Sequence, residues 1–183
     1  MYSSRFACIL ILSLLAGCGG MKDDLLPSAS DQRLPVIPGS LGSAVSQLAP
    51  DFTASDSLGN PITLSSVTPL HKGVVMYFTM WCPTCDAHMA YIRDNLISQP
   101  SNSNVVFYAV DYVSGSVAES RQAQLDHNFG GSGFIVLADT SNSILGLYHA
   151  TMATTVVIDR NGIVRMNEQF KTTKLQDVLA ALP

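Results

Sequence analysis

The chain has 183 residues, of which 47% are hydrophobic and 13% are charged. This composition is typical of a globular protein with a substantial core, and the length suits a single domain. Because the formal net charge at pH 7 is -4, no excess of basic residues points to nucleic acid or to an anionic membrane surface as a partner.

The N-terminal end of the chain has the pattern of an export signal. Arg5 supplies a positive charge, and it is followed by an apolar run, Phe6 to Ala16, that is too short to span a bilayer. The run ends in Leu15-Ala16-Gly17-Cys18, which resembles the lipobox of bacterial lipoproteins. We therefore predict a signal peptide over residues 1–17 and attachment to a membrane through a lipid on Cys18. The alternative is an ordinary secretory signal with an incidental cysteine.

The four cysteines have different predicted fates. Cys8 leaves with the signal and Cys18 becomes a thioether, so Cys82 and Cys85 remain as thiols. An exported location is oxidising, and such a pair is there either oxidised or kept reduced by a dedicated electron donor. Gly19, rather than Asp, follows the lipidated cysteine, which in an enteric-type cell favours the outer membrane. We expect a periplasm-facing lipoprotein of the cell envelope.

Residues 18–48 are predicted to form a flexible tether ahead of one domain over residues 49–183. The tether mixes Gly, Ser, Pro and Asp with little periodicity, and its prolines interrupt any helix. The alternative is an extension that is partly ordered on the domain, above all over residues 45–48.

Apolar runs and turn signals divide the domain into short strands and helices that alternate along the chain. In order, they predict strands over 51–55 and 61–64, a helical turn at 65–66, a buried strand over 74–79, a helix over 86–98, a strand over 104–111, a helix over 116–128, a strand over 134–138, a helix over 141–148, strands over 154–158 and 163–168, and a helix over 174–182. This order indicates an α/β fold with a central mixed β-sheet and helices on both faces.

The candidate functional site is Trp81-Cys82-Pro83-Thr84-Cys85, between a buried strand and a helix. Two cysteines at this spacing and at such a junction favour a redox pair. Cys82 is expected at the helix N-terminus, where unpaired N–H groups stabilise a thiolate, with Cys85 one turn further along. Cys82 is therefore the predicted nucleophile and Cys85 the predicted resolving thiol.

Two less specific interpretations of the cysteine pair remain. Half of a zinc site is one, although tetrahedral zinc would need two further ligands and the chain has no second cysteine pair. A purely structural disulfide is the other, although a loop this short removes little entropy from the unfolded chain.

Three motifs occur in order over residues 49–183: Ala49-Pro50-Asp51-Phe52, Trp81-Cys82-x-x-Cys85, and Thr154-Thr155-x-x-Ile158-Asp159-x-x-Gly162. Together they resemble the thioredoxin-like superfamily, in particular membrane-anchored thiol-disulfide oxidoreductases that share features with AhpC/TSA-type peroxiredoxins. The resemblance implies a thioredoxin fold with an extra N-terminal β-hairpin. It also implies dithiol exchange as the activity. We expect a monomeric enzyme without a cofactor, whose partners are protein thiols or disulfides and an electron donor or acceptor.

The resemblance also assigns roles around the cysteines. It implies that Thr79 and a partly exposed Trp81 shape the site, and that Pro83 and Thr84 tune its reduction potential. The superfamily has a cis-proline where this chain has Ala153, so we expect that residue opposite the cysteines after a trans peptide bond.

The buried acid of thioredoxins is absent from its usual position, six residues before the first cysteine, where this chain has Met76. Proton removal from Cys85 then falls to water, to the partner or to a histidine. We expect His71, His88 and His127 to be solvated surface residues.

Two further functions are alternatives. Thr79-x-x-Cys82 resembles the peroxidatic motif of peroxiredoxins, although the proline and arginine of that family fall at Val75 and Ala153. In the second alternative, Cys82, Cys85 and His149 bind a soft metal such as Cu(I).

Overall fold

The computed structural model describes residues 35–183. The predicted signal peptide, Cys18 and the first part of the predicted tether lie outside these residues. None of the helices in the described part of the chain is long and apolar enough to cross a membrane.

Seven strands form one mixed sheet: β1 (Thr53–Asp56), β2 (Pro61–Thr63), β3 (Gly73–Thr79), β4 (Val105–Asp111), β5 (Phe134–Ala138), β6 (Thr154–Asp159) and β7 (Val164–Gln169). Their order across the sheet is β2-β1-β5-β4-β3-β6-β7. The three central strands β3, β4 and β5 are parallel, and the flanking strands are antiparallel to their neighbours. Because β3 and β4 are parallel and Thr79 pairs with Asp111, the carboxyl ends of both strands meet at one end of the sheet.

The helices follow the predicted order: α1 (Leu64–Val67), α2 (Pro83–Ile92), α3 (Val117–Asp126), α4 (Ser143–Leu147) and α5 (Thr172–Ala180). The helix predicted over 86–98 begins three residues earlier, at Pro83, which needs no N–H partner in the first turn. After Ile92 it continues as a π-helical turn over Arg93–Ile97, which the apolar spacing did not indicate.

Strand β3 separates two apolar cores, since all seven of its residues are buried. Val75 and Tyr77 point into the core that contains Cys85 and Met89 of α2. Met76 and its alternate neighbours point into the other core, on the opposite face of the sheet. The sheet is therefore covered on both faces, as predicted, and Met76 faces away from the cysteine pair.

The end of the predicted tether is held by the domain. The Ser46 N–H donates to the Val164 carbonyl at 2.9 Å, and the Val164 N–H donates to the Gln47 carbonyl at 2.9 Å. Leu48 forms an isolated antiparallel bridge with Ile163, in the turn between β6 and β7. Residues 46–48 are thus ordered against the sheet, as in the packed alternative, because backbone hydrogen bonds replace the solvation that a free tether would have.

Candidate active site

Cys82 and Cys85 lie at the end of the sheet where β3 passes into α2, and they form a disulfide with a Cα–Cα distance of 5.0 Å. Cys82 is the N-cap residue of α2, in an extended conformation. Its sulfur accepts a hydrogen bond from the Cys85 N–H at 3.1 Å. The helix N-terminus therefore directs a backbone donor at Cys82, which favours a negative charge on this sulfur when the disulfide is reduced.

The two cysteines differ in exposure. Cys82 is partly exposed, whereas Cys85 is fully buried among the apolar side chains below the sheet end. Pro83 and Thr84, between them, are exposed. A partner can therefore react with Cys82 directly, whereas the buried Cys85 reacts with the disulfide formed between Cys82 and the partner.

Trp81 lies directly before the pair and is buried, with 9% of its surface exposed, so the expectation of a partly exposed rim was wrong. Its backbone has a φ of 56°, a left-handed conformation that residues other than glycine rarely adopt. The Trp81 N–H donates to Oγ1 of the fully buried Thr79 at 3.0 Å, which holds this conformation. Thr79 and Trp81 therefore fix the chain that presents Cys82.

Asp111 lies beside Thr79 at the end of β4 and is fully buried. Its Oδ1 accepts the Ser114 N–H at 3.1 Å. The Trp81 Nε1 and the Asp111 Oδ2 are both buried without a hydrogen-bond partner among the described residues. Burial acts to raise the pKa of Asp111, but hydrogen bonds, first of all from Ser114, outweigh it and hold the pKa below its ordinary value.

Ala153, where the superfamily has a cis-proline, belongs to the same buried apolar cluster as Cys85. It is fully buried, its bond to Met152 is trans, and its φ is 59°. The Ala153 N–H donates to the Phe78 carbonyl at 2.9 Å, a bond that proline could not make. Met152 provides the contact with the disulfide, because its Sδ lies 3.6 Å from Sγ of Cys82.

The histidines only partly follow the expectations. His88 is half-buried, with Nδ1 3.2 Å from the Tyr77 hydroxyl, and burial lowers its pKa. His127, also half-buried, has Nδ1 2.7 Å from Oδ2 of Asp86. The expectation of solvated side chains was thus wrong for both, since sequence alone gave no sign of their partners.

His149 is exposed and has a φ of 48°. Within residues 35–183, no three His, Cys, Asp or Glu side chains cluster closely enough to hold a metal ion. The structure therefore does not bring His149 together with Cys82 and Cys85 as the copper alternative requires.

Comparison of the chain with known protein families gives a match that covers most of the fold and the cysteine pair. The AhpC/TSA family matches residues 45–167, about two thirds of the chain. No curated protein matches the chain significantly.

Solved structures share the fold at low sequence identity. Mycobacterium tuberculosis DsbF, in mixed oxidised and reduced forms, is 23% identical, with a TM-score of 0.58 over 72% of this chain and 95% of that one. A secreted disulfide oxidoreductase of M. tuberculosis, homologous to E. coli DsbE, is 23% identical, with a TM-score of 0.54 over 72% of this chain and 96% of that one. The peroxidoxin BcpB of M. tuberculosis is 21% identical, with a TM-score of 0.56 over 74% of this chain and 93% of that one.

The fold and the cysteine pair at the N-terminus of α2 define a thiol-disulfide oxidoreductase with a thioredoxin fold and an added N-terminal hairpin, β1–β2. The chain belongs to the AhpC/TSA family.

Proposed function

We propose that this protein is an exported, lipid-anchored oxidoreductase that exchanges disulfides with protein partners through Cys82 and Cys85. The observation that carries the proposal is the asymmetry of the pair. Cys82 is accessible and accepts a backbone N–H from the helix N-terminus, whereas Cys85 is fully buried one turn further along.

In the reducing direction, the Cys82 thiolate attacks one sulfur of a partner disulfide. A Cys82–partner disulfide forms and the other partner sulfur leaves as a thiolate, which takes up a proton. Cys85 then loses its proton and attacks the Cys82 sulfur, so that the internal disulfide forms and the partner leaves with two thiols. Two electrons pass from the protein to the partner, and the oxidising direction reverses each step.

The exposure of the Cys82 sulfur predicts that a mixed disulfide between Cys82 and the partner accumulates when Cys85 is removed. Cys85→Ser removes the resolving thiol, so partners should remain covalently attached through Cys82 and appear as adducts that a reductant releases. Cys82→Ser is the matched control and should trap little, because Cys85 is buried. Equal trapping by the two variants would contradict the assigned roles.

Thiol peroxidase activity is the second candidate, and membership of the AhpC/TSA family is the observation that favours it. Against it, the fully buried Thr79 hydroxyl accepts the Trp81 N–H, and Ala153 stands where an arginine would be expected. A peroxidase should form sulfenic acid at Cys82 rapidly with low peroxide concentrations, and trapping with dimedone measures this. An exchange enzyme should instead react faster with a disulfide substrate than with peroxide.

Anchoring to the outer membrane through Cys18 rests on the signal and lipobox pattern of residues 1–18. The pattern predicts incorporation of labelled fatty acid into the full chain in a bacterial host and its loss in Cys18→Ala. Membrane fractionation of the two proteins then separates a lipoprotein from an ordinary secreted protein.

A further inference from the structure

The histidine predicted to be a surface residue, His127, contacts both sides of the redox motif. It lies at the C-cap of α3, 41 residues after Asp86, to which it is bound at 2.7 Å. Asp86 is the residue after Cys85. The His127 ring also packs on Trp81, the residue before Cys82, with ring centroids 5.2 Å apart and an interplanar angle of 34°.

We propose that His127 is a positioning residue of the redox pair. Because it is bound to Asp86 and packed on Trp81, it holds the residues on both sides of the Cys82–Cys85 motif. When protonated, it also adds a positive charge that favours the dithiol form. The proposal deepens the proposed disulfide exchange and rests on it.

The positioning part follows from what each contact fixes. Trp81 has a left-handed backbone, and its ring packs against His127 and against Phe129, whose ring centroid lies 6.2 Å away. Asp86 donates its N–H to the Cys82 carbonyl at 2.9 Å, in the first turn of α2. Loss of the His127 ring therefore loosens the residue on each side of the cysteine pair at once.

The charge part follows from the two helix ends. The carboxylate of Asp86 lies at the N-terminus of α2, and His127 lies at the C-terminus of α3, where backbone carbonyls favour a positive charge. Asp86 is the titratable group that α2 presents to the ring. Arg93 is the nearby cation, with its guanidinium 5.8 Å from the Phe129 ring centroid, and its own partner is Asp94.

Reduction creates a negative charge at Cys82, the residue after Trp81, on whose ring His127 packs. Two glutathione thiols reduce the disulfide to a Cys82 thiolate and a Cys85 thiol, with release of glutathione disulfide and one proton. A protonated His127 carries the opposite charge and therefore stabilises the thiolate product. Because the reaction releases a proton, its equilibrium constant falls as the pH falls, and a protonated His127 should make this fall less steep than it would be without the histidine.

The test measures this constant in glutathione buffers for the full chain in detergent micelles, with Cys8 and Cys18 replaced by alanine. His127→Asn keeps an amide near the Nδ1 position but carries no charge. We expect its constant for reduction to be about threefold to fivefold smaller than that of the unchanged protein at about pH 5.5, and nearly equal at about pH 8.5. His127→Arg, which carries a charge at both pH values, should raise the constant at the higher pH. His71→Gln, at the opposite end of β3, is the control and should change neither value.

A second measurement separates charge from folding. Trp81 is the single tryptophan of the chain, so its fluorescence reports on the contact with His127 directly. The fluorescence should differ between about pH 5.5 and about pH 8.5 in the unchanged protein, and this difference should be absent from His127→Asn. About 1 M salt should reduce the difference between the variants, because it screens charges but not packing.

The outcomes are distinguishable. Equal constants for the unchanged protein and His127→Asn at both pH values would overturn the inference while leaving disulfide exchange intact. A constant in His127→Asn that is lowered equally at both pH values would overturn the charge part of the inference. If the unchanged protein showed no reversible two-electron couple, the proposed function itself would fail.

Discussion

The Sδ atom of Met152 lies 3.6 Å from the Sγ atom of Cys82, the more accessible sulfur of the pair. Met152 is half-buried and precedes Ala153, the residue that replaces the expected proline. The side chain next to the reactive sulfur is thus a flexible thioether, which adapts its shape to different partners.

Shortening this side chain should expose Cys82. We expect Met152→Ala to increase the rate at which reduced Cys82 reacts with iodoacetamide about threefold, because the covering thioether is removed. Alkylation followed by mass spectrometry measures the rate at a fixed thiolate fraction. Met80→Ala is the matched control, since Met80 is already 42% exposed and next to Trp81, and it should have little effect.

The difference in burial between the cysteines predicts a difference in reactivity. In Cys85→Ser, the remaining Cys82 should be alkylated at least about tenfold faster than Cys85 is in Cys82→Ser, because the buried thiol needs local opening and lacks the N–H donor. Comparable rates in folded protein would mean that both sulfurs are equally accessible.

Restoring the superfamily's proline should not restore its geometry. Ala153→Pro loses the hydrogen bond to Phe78 and requires a negative φ where the chain has 59°, so we expect a loss of at least about 3 kcal/mol in the free energy of unfolding. Ala153→Gly tolerates the positive φ and should cost at most about 1 kcal/mol. Urea unfolding measures both, and a stable Ala153→Pro protein would show that this loop can rearrange.

The lowered pKa of Asp111 predicts acid sensitivity. Its stabilising contribution is fully present above its unfolded pKa, near 3.8, and is lost as the pH falls through the lower folded value. Asp111→Asn should therefore be less stable than the unchanged protein at pH 7, and the difference should shrink as the pH falls below about 4. Urea midpoints at a series of pH values measure this, and a constant difference would contradict it.

The sequence predicted most of the fold because its signals are local. The run Val74 to Thr79 is apolar at every position but the last, and Asp159 to Gly162 forms a turn with Asn-Gly at its tip, so β3 and the β6–β7 hairpin were predicted to within about one residue. Cys82 was likewise placed correctly at a helix N-terminus, because Pro83 and the spacing to Cys85 are local features.

What the sequence did not show depends on long-range contacts. The binding of Asp86 to His127 joins residues 41 positions apart, and nothing near either residue indicates the other. The contact of Met152 with Cys82 crosses 70 positions. The left-handed φ of Trp81 also opposes its intrinsic preference, and it is held by the Thr79 hydroxyl, a tertiary effect that propensity does not contain.

The segment that precedes the domain has a consequence for solubility. Strand β7 is the last strand of the sheet, and its outward backbone groups at Val164 are paired with residues 46 and 47. A chain shortened to begin at Ala49 would leave these groups unpaired on an open strand edge, which can add strands from another molecule. Such a protein should self-associate, whereas one that begins at Val36 should not, and this short segment therefore protects the domain against aggregation.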